Sequence, residues 1–331
     1  MTLNQRIEAF SNLRNYLIKS SSELEQIIQL SIQHNAWYTE NSIRKVIDGI
    51  LVMLEKDKLT EWLQQYDLIN SKPKNIGTIM AGNIPLVGFH DFLCVLITGN
   101  YLIAKLSSQD AYLLPHIAEK LIEFNEGFKE RIHFVEKLEK VDAIIATGSD
   151  NSARYFESYF GKYPNIIRNN RTSIAILDGN ESSEELLKLG DDIFQYYGLG
   201  CRNVSKLFVP DNYSFNHFFK SIERFSDIYT HNKYRNNYEY NKSIYLINKV
   251  KHLDNGFLLI TENKELVSPI SVVYYETYTS LSSLKEKIKR QGDKIQCIVS
   301  NSNTAFGKAQ QPEVWDYADN IDTIEFLLSL N

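Results

Sequence analysis

The sequence is short of the features by which many binding proteins declare themselves. Three cysteines in 331 residues, Cys94, Cys201 and Cys297, are an odd number at wide spacing, which fits a reducing compartment better than a disulfide framework. No CxxC pair occurs. The seven histidines (34, 90, 116, 133, 217, 231 and 252) lack the close spacing of a zinc site, so no metal is expected. There is no basic excess either: a formal net charge of −5 offers no general field to a polyanion, and nucleic acid is not an expected partner. No apolar run reaches membrane-spanning length, and MTLNQRIEAFSNLRNYL scatters charges where a signal peptide has an apolar stretch. The expectation is a cytoplasmic protein with no membrane span. A GxGxxG after the first strand and a GxxxxGKS/T are both missing, which excludes the ordinary dinucleotide and P-loop fingerprints. Internal repeats and low-complexity segments are absent as well.

What is present is enough apolar material, 43% of residues, for a sizeable core in one large domain or two. Residues 1–70 read as a helical layer. Ile7, Phe10, Leu13 and Leu17 share one helical stripe, Ile43, Ile47, Leu51 and Leu54 another, and the region has one glycine, Gly49, and no proline. SKPKN (71–75) punctuates its end. The composition then alternates: strands over 75–82, 101–107, 132–137, 141–149 and 172–179 are separated by helix-length segments at 88–99, from Asp110 and from Asn151. Such alternation predicts an α/β protein with a mostly parallel sheet covered on both faces, which binds ligands at the carboxyl ends of its strands.

The pattern continues less regularly beyond residue 200. A strand SKLFVP is followed by a helix near Phe215 to Phe225, then by apolar runs at 242–248, 257–263 and 270–277, a helix from Ser282 and a run at 295–301, which together predict a second α/β domain. HNKYRNNYEYNK (231–242) interleaves bases and tyrosines as a single-strand-binding surface does, but acidic neighbours make it a solvated loop. The tail, 302–331, is apolar at its end and is expected to pack on the body or on a neighbouring subunit. The domains expected are 1–70, a helical layer of the cofactor domain; 71–178, the cofactor domain; 179–301, the catalytic domain; and 302–331.

Four places carry residues suited to chemistry, each with a plainer reading beside it. In FQYYGLGCRN a helix, opening at Ser182 with Glu185 in capping-box spacing and carrying Leu186, Leu189, Ile193 and Tyr197 on one face, is stopped by Gly198. Gly200 keeps the backbone slim before Cys201, which then projects from a bend; a buried, inert thiol is the alternative. Asn83, between Gly82 and Pro85, is either a turn former or an amide donor to an oxyanion. Gly148 and Ser149 either cap a helix or present N–H groups to phosphate. Lys105 ends a strand, as a solvated terminus or a ligand contact. Cys94 and Cys297 lie inside apolar segments and are read as structural.

The order of these segments resembles the aldehyde dehydrogenase superfamily, and within it the LuxC-type long-chain acyl-CoA reductases, from residue 75 onward. The resemblance implies an aldehyde dehydrogenase-like fold with a Rossmann-like cofactor domain and a second α/β catalytic domain. GNIPLVGFHDFLCVLITGNYLIAKLSS is similar to a segment that implies Asn83 for the oxyanion hole, Gly99 and Asn100 for a turn and Lys105 for the adenosine ribose. ATGS implies that Gly148 and Ser149 carry the cofactor pyrophosphate. GLGCRN makes Cys201 the catalytic thiol, and KELVSPISVV implies Glu265 on the nicotinamide ribose, with Pro269 the matching proline. Two departures refine this. Arg168 and Asn169 stand where aldehyde-oxidising members carry a water-activating glutamate, which disfavours hydrolysis of an acyl-enzyme. Ser108 stands where NAD-preferring members have a glutamate, so NADPH is expected, with NADH the alternative. The implied activity is reduction of a fatty acyl thioester, acyl-CoA or an acyl group from a donor protein, to the aldehyde through an S-acyl cysteine. An aldehyde-oxidising dehydrogenase and a noncatalytic acyl-accepting subunit are the rivals. No base for Cys201 is named by the sequence; a helix terminus or Arg202 is the candidate for lowering its thiol pKa, with a surface or CoA-phosphate contact the alternative for Arg202, and a homo-oligomer is compatible with the sequence.

Overall fold

The computed structural model describes residues 1–68 and 72–330, so the expected 70/71 boundary, with Ser71, lies outside the described residues, as does Asn331. The chain forms two units, Met1–Asn170 with Glu313–Asn331, and Arg171–Pro312.

In the first unit four helices precede the sheet: α1 (Leu3–Ile18), α2 (Ser22–His34), α3 (Glu40–Met53) and α4 (Lys56–Leu63). Thr2 opens α1 with a capping box to Gln5, and Thr39 opens α3 with one to Ser42, so the first turns are fixed by local sequence. The stripe Ile7, Phe10, Leu13, Leu17 is buried throughout and joins one core with Ile28, Ile43, Leu59 and Trp62. Beneath lie five parallel strands in the order β3-β2-β1-β4-β5: β1 (Asn75–Ile79), β2 (Tyr101–Lys105), β3 (Ile132–Phe134), β4 (Ala143–Thr147) and β5 (Asn165–Arg168). The connecting helices are α5 (Phe89–Ile97), α6 (Leu113–Phe124) and α7 (Asp150–Phe160). In α5 every residue except His90 is buried, which is why its sequence is apolar on all sides. β5 was not expected from the sequence; its four residues are too few to establish a period.

The second unit holds a six-stranded sheet in the order β11-β6-β7-β10-β9-β8, parallel except for the edge pair β8 and β9. Its strands are β6 (Thr172–Ile176), β7 (Val204–Pro210), β8 (Leu253–Asp254), β9 (Leu259–Glu262), β10 (Val272–Tyr278) and β11 (Ile295–Val299). The helices are α8 (Ser183–Phe194), α9 (Phe215–Ser221), α10 (Asn232–Ile247) and α11 (Leu281–Arg290). Three expectations need correction. The units divide at 170/171, not 178/179, because β6 pairs with β7 and β11 in the second sheet. Residues 231–242, expected as a loop, and 242–248, expected only as an apolar run of the second domain, are largely one helix, α10. It buries Tyr234, Tyr238 and Asn241, one helical stripe obscured by the polar residues between them. The tail divides too: 302–312 stays with the second unit, while 313–330 returns to the first, where α12 (Thr323–Leu328) packs on α5.

Candidate active site

The first unit gathers five of the expected residues along one edge of its sheet. Asn83 follows β1, Lys105 ends β2, Ser108 lies just beyond it, and Gly148 and Ser149 follow β4. In the strand order 3-2-1-4-5 the topology switches between β1 and β4, and the crevice at the carboxyl ends there is where doubly wound sheets bind ligands. Asn83, Lys105, Ser108 and Ser149 are exposed.

The turn bearing Asn83 is built with unusual support. The Gly82 carbonyl accepts from Asn35 Nδ2 at 3.3 Å and from the Tyr38 hydroxyl at 3.1 Å. A side chain at Gly82 would meet Ser107 at 2.7 Å, so the β1 and β2 loops approach as only glycine allows. Leu86 holds a left-handed φ of 52°, and its N–H donates to Asp110 Oδ2 at 2.7 Å. Burial pushes the Asp110 carboxyl up to about 6, and the Leu86 N–H partly opposes that. The second loop is tied to the same helix end: His34 Nε2 lies 2.5 Å from the Ser108 carbonyl, and Asn35 Nδ2 donates to the Gln109 carbonyl at 3.2 Å.

Gly148 and Ser149 also satisfy the plainer of their two readings. The Ser149 hydroxyl caps α7 by accepting from Ser152 N–H at 3.3 Å. A Cβ at Gly148 would lie 2.7 Å from Ser152 and 2.9 Å from Phe156, so this strand–helix bend requires glycine. A capped helix start with a slim backbone before it still fits a pyrophosphate, because the first-turn N–H groups have no intrahelical acceptor. The residues at this edge thus fit a dinucleotide.

At the end of β5 Arg168 is buried and forked onto Asp91 of α5: Nη1 to Oδ2 at 2.5 Å and Nη2 to Oδ1 at 2.8 Å. Thr147 and Thr323 hydroxyls accept its remaining Nη hydrogens at 3.2 and 3.4 Å. Burial alone would lower the Arg168 pKa; the Asp91 carboxylate outweighs it, and the net direction is upward. The side chain is structural. Sequence reasoning missed Asp91, although an isolated acid in the apolar run FHDFLCVLI signals a buried partner.

In the second unit Cys201 sits in the turn before β7, half-buried and in no disulfide. The expected capping box at Ser182 and Glu185 is present. However, α8 ends at Phe194, earlier than expected, so Tyr197 is not on its face. A kinked 3-10 turn over Gln195–Gly198 follows, with Tyr196 and Tyr197 at φ 55° and 60°, and Gly198 and Gly200 at 79° and 100°. Left-handed non-glycine residues cost about 1–2 kcal/mol each and persist only where surroundings hold them. Here the Tyr197 ring stacks on His231, with centroids 4.1 Å apart. On the far side Ser173 Oγ donates to the Cys201 carbonyl at 3.1 Å, and the Asn203 carbonyl accepts from Ser173 N–H at 2.9 Å and Thr172 Oγ1 at 3.1 Å. Arg202 Nη1 reaches the Ala309 carbonyl at 3.5 Å.

The segment bearing Glu265 and Pro269 joins β9 to β10, and both residues are exposed. Glu265 N–H donates to Asn263 Oδ1 at 2.9 Å, while the Asn263 carbonyl accepts from Lys206 Nζ. Lys206 is wholly buried, lies 3.4 Å from Glu276 and sits over the Phe208 ring. Ser205 Oγ donates to the Leu266 carbonyl at 2.7 Å, securing the same segment farther along. Among the described residues no group of three or more His, Cys, Asp or Glu could hold a metal ion, and no helix is long and apolar enough to cross a membrane.

The two mostly parallel sheets make an α/β fold, and solved structures place it with the aldehyde dehydrogenases. The E. coli NADP dependent enzyme matches with a TM-score of 0.67 at 13% identity, over 97% of this chain and 85% of that one. Aldehyde dehydrogenase 21 of Physcomitrella patens, in complex with the reaction product succinate, gives 0.66 at 13% identity, over 91% and 74%. The NAD+ complex of a Bacillus cereus aldehyde dehydrogenase gives 0.65 at 14%, over 91% and 72%. Within that fold the sequence is more specific: residues 5–225 match the family described as Acyl-CoA reductase (LuxC), and the chain belongs to this family. It is 23% identical over 191 residues to the long-chain acyl-protein thioester reductase of Aliivibrio fischeri, an alignment spanning 51% of this chain and 40% of that protein.

Proposed function

We propose that the protein reduces a fatty acyl thioester to the aldehyde, with Cys201 as nucleophile and NADPH as reductant. The observation that carries the reading is the construction of the Cys201 turn: a half-buried thiol follows a run of left-handed residues and is anchored through its own carbonyl. Inert core cysteines need no such support. Family membership agrees with it; the family description names acyl-CoA and the A. fischeri relative's name a long-chain acyl-protein thioester, which favours an acyl group held by CoA or by a protein.

In this reading the Cys201 thiolate attacks the thioester carbonyl, the C–S bond to the donor breaks, and the donor thiolate leaves an S-acyl cysteine. Asn83 and the Cys201 backbone N–H are the assigned donors to the oxyanion. Lys105, Ser108, Gly148, Ser149 and Glu265 would hold the dinucleotide, which when bound supplies hydride to the acyl carbon. Cys201 is then expelled as thiolate when the aldehyde leaves. Ser108 is small and neutral, which leaves room for a 2′-phosphate. Arg168 offers no base to activate water, and its guanidinium is committed to Asp91, so the acyl group waits for hydride.

The test mixes the protein with acyl-CoA of graded chain length and either NADPH or NADH, following aldehyde and cofactor oxidation. Aldehyde with NADPH oxidation is expected. Cys201→Ala is expected to abolish labelled acyl adduct while dinucleotide binding persists; a labelled adduct on that variant refutes the assignment. Persistent adduct without cofactor oxidation indicates an acyl-accepting subunit, and acid formed from aldehyde indicates an oxidising enzyme.

A further inference from the structure

Ser173, at the start of β6, is fully buried, and its hydroxyl has three neighbours. It lies 3.1 Å from the Cys201 carbonyl, 3.2 Å from the Cys297 N–H and 3.0 Å from Cys297 Sγ on β11. A serine hydroxyl has one hydrogen and two lone pairs. The carbonyl can only accept, so the hydrogen goes to Cys201 O. One lone pair takes the Cys297 N–H, and the other is left for the Cys297 thiol, which must therefore be the donor. That accounting fills the valence of Ser173 and requires Cys297 to be protonated. Burial, the largest influence on Cys297, pushes its thiol up and agrees with this.

The direction of the hydrogen bonds matters because of what lies on the other side of Cys201. Tyr196 and Tyr197 hold left-handed φ angles that cost energy, while Gly198 and Gly200 take theirs freely, so the chain just before Cys201 combines strain with backbone freedom and needs an anchor beyond it. The Cys201 carbonyl, held by Ser173, is an anchor on the sulfur-bearing residue itself. We propose that Cys297 and Ser173 form a donor relay, thiol to hydroxyl to Cys201 carbonyl, that orients Cys201 for acyl transfer. Cys297 and Ser173 are thus positioning residues; neither meets the acyl group. The inference rests on the reading of Cys201 as nucleophile.

The relay is tested with Ser173→Ala, Cys297→Ala and Cys297→Ser. Acyl-CoA is the probe, acylation of Cys201 is timed by mass spectrometry, and melting curves check the fold. One neutral hydrogen bond corresponds to a change of about fivefold. Ser173→Ala is expected to slow acylation about five- to tenfold with KM for acyl-CoA unchanged. Cys297→Ala is expected to slow it by a similar factor, and Cys297→Ser, which restores a donor, to recover a rate within about twofold of the parent. A folded Cys297→Ala protein with the parent rate overturns the proposal. So does Cys297→Ser as slow as Cys297→Ala, which would make the effect one of sulfur packing. Iodoacetamide alkylation of Cys201, which needs no acyl donor, is measured on the same variants and is expected to follow the same order. If Cys201→Ala still becomes acylated, the nucleophile assignment fails, while the alkylation order still decides the relay.

Discussion

Arg168 gives the sharpest stability prediction because its contacts are few and buried. The Arg168 and Asp91 side chains are 5% and 9% exposed, so solvent screens their attraction little. Replacing Arg168 with Met keeps most of the volume but leaves Asp91 a carboxylate without its fork, and removes donors from Thr147 and Thr323. Breaking one side of a buried pair costs about 3–5 kcal/mol. A domain is commonly stable by about 5–15 kcal/mol, so about a fifth of the stability or more is at stake. At about 2–4 °C per kcal/mol for a domain of this size, the melting temperature is expected to fall by roughly 6–20 °C.

The assay is thermal melting with urea titration on Arg168→Met, Asp91→Leu and the double variant. Removing both partners leaves no uncompensated charge, so the double variant is expected to recover much of what either single change loses. An Arg168→Met protein within about 1 kcal/mol of the parent, or a double variant with losses that simply add, refutes the argument. Arg168→Glu tests the functional side. It sets two carboxylates together, so the expected result is a strongly destabilised protein that gains no aldehyde oxidation.

Two further predictions follow from buried charge in the second unit. Asp192 accepts from Gly307 N–H at 2.7 Å and Ala309 N–H at 2.9 Å, and burial, with Asp191 adding to it, pushes its carboxyl up to about 7. A carboxyl raised on folding makes stability fall as pH rises from near 4, where the unfolded chain loses this proton, to about 7, and level off above; the gap is worth about 4 kcal/mol. Asp192→Asn is expected to flatten that part of the urea-midpoint profile, and an unchanged slope counts against it. Lys206→Met frees the Asn263 carbonyl and with it the Glu265 backbone; the expected result is a KM for dinucleotide raised about tenfold with Cys201 acylation unaltered, and an equal loss in both would mean general unfolding instead.

The elements that were legible from sequence are those whose cause is local or periodic. The Ser182 capping box and the largely apolar α5 each follow from neighbours within a few positions. What escaped was set by distant partners. β6 belongs to the second sheet through pairing with β7 and β11, which no property of TSIAILDG reveals. α10 is held by Tyr234 donating to the Phe257 carbonyl, Tyr238 to Asp254 and Asn241 to the Ile270 carbonyl, so its buried stripe is polar and does not register as an apolar period. The positions of candidate residues could be read, but not their supports. Lys206 within VSKLFVP was as strong a signal as Asp91, since a lysine in a central strand needs a partner in the fold.

The residues around Asn83 and Ser108 carry the same distinction between a reactive position and what holds it. His34, Asn35 and Tyr38, at the end of α2 and just after it, together address the Gly82, Ser108 and Gln109 carbonyls. A carbonyl in a turn after a strand is ordinarily left to water, and two side-chain donors on Gly82 remove that freedom. The hydrogen bonds run from the helical layer to the backbone of both loops, so their effect does not depend on which side chains the loops carry. A layer whose apolar stripes are explained by packing alone therefore has a second task, expressed by polar residues at one helix end. It fixes the backbone from which Asn83 and Ser108 project, while those side chains themselves remain open to solvent.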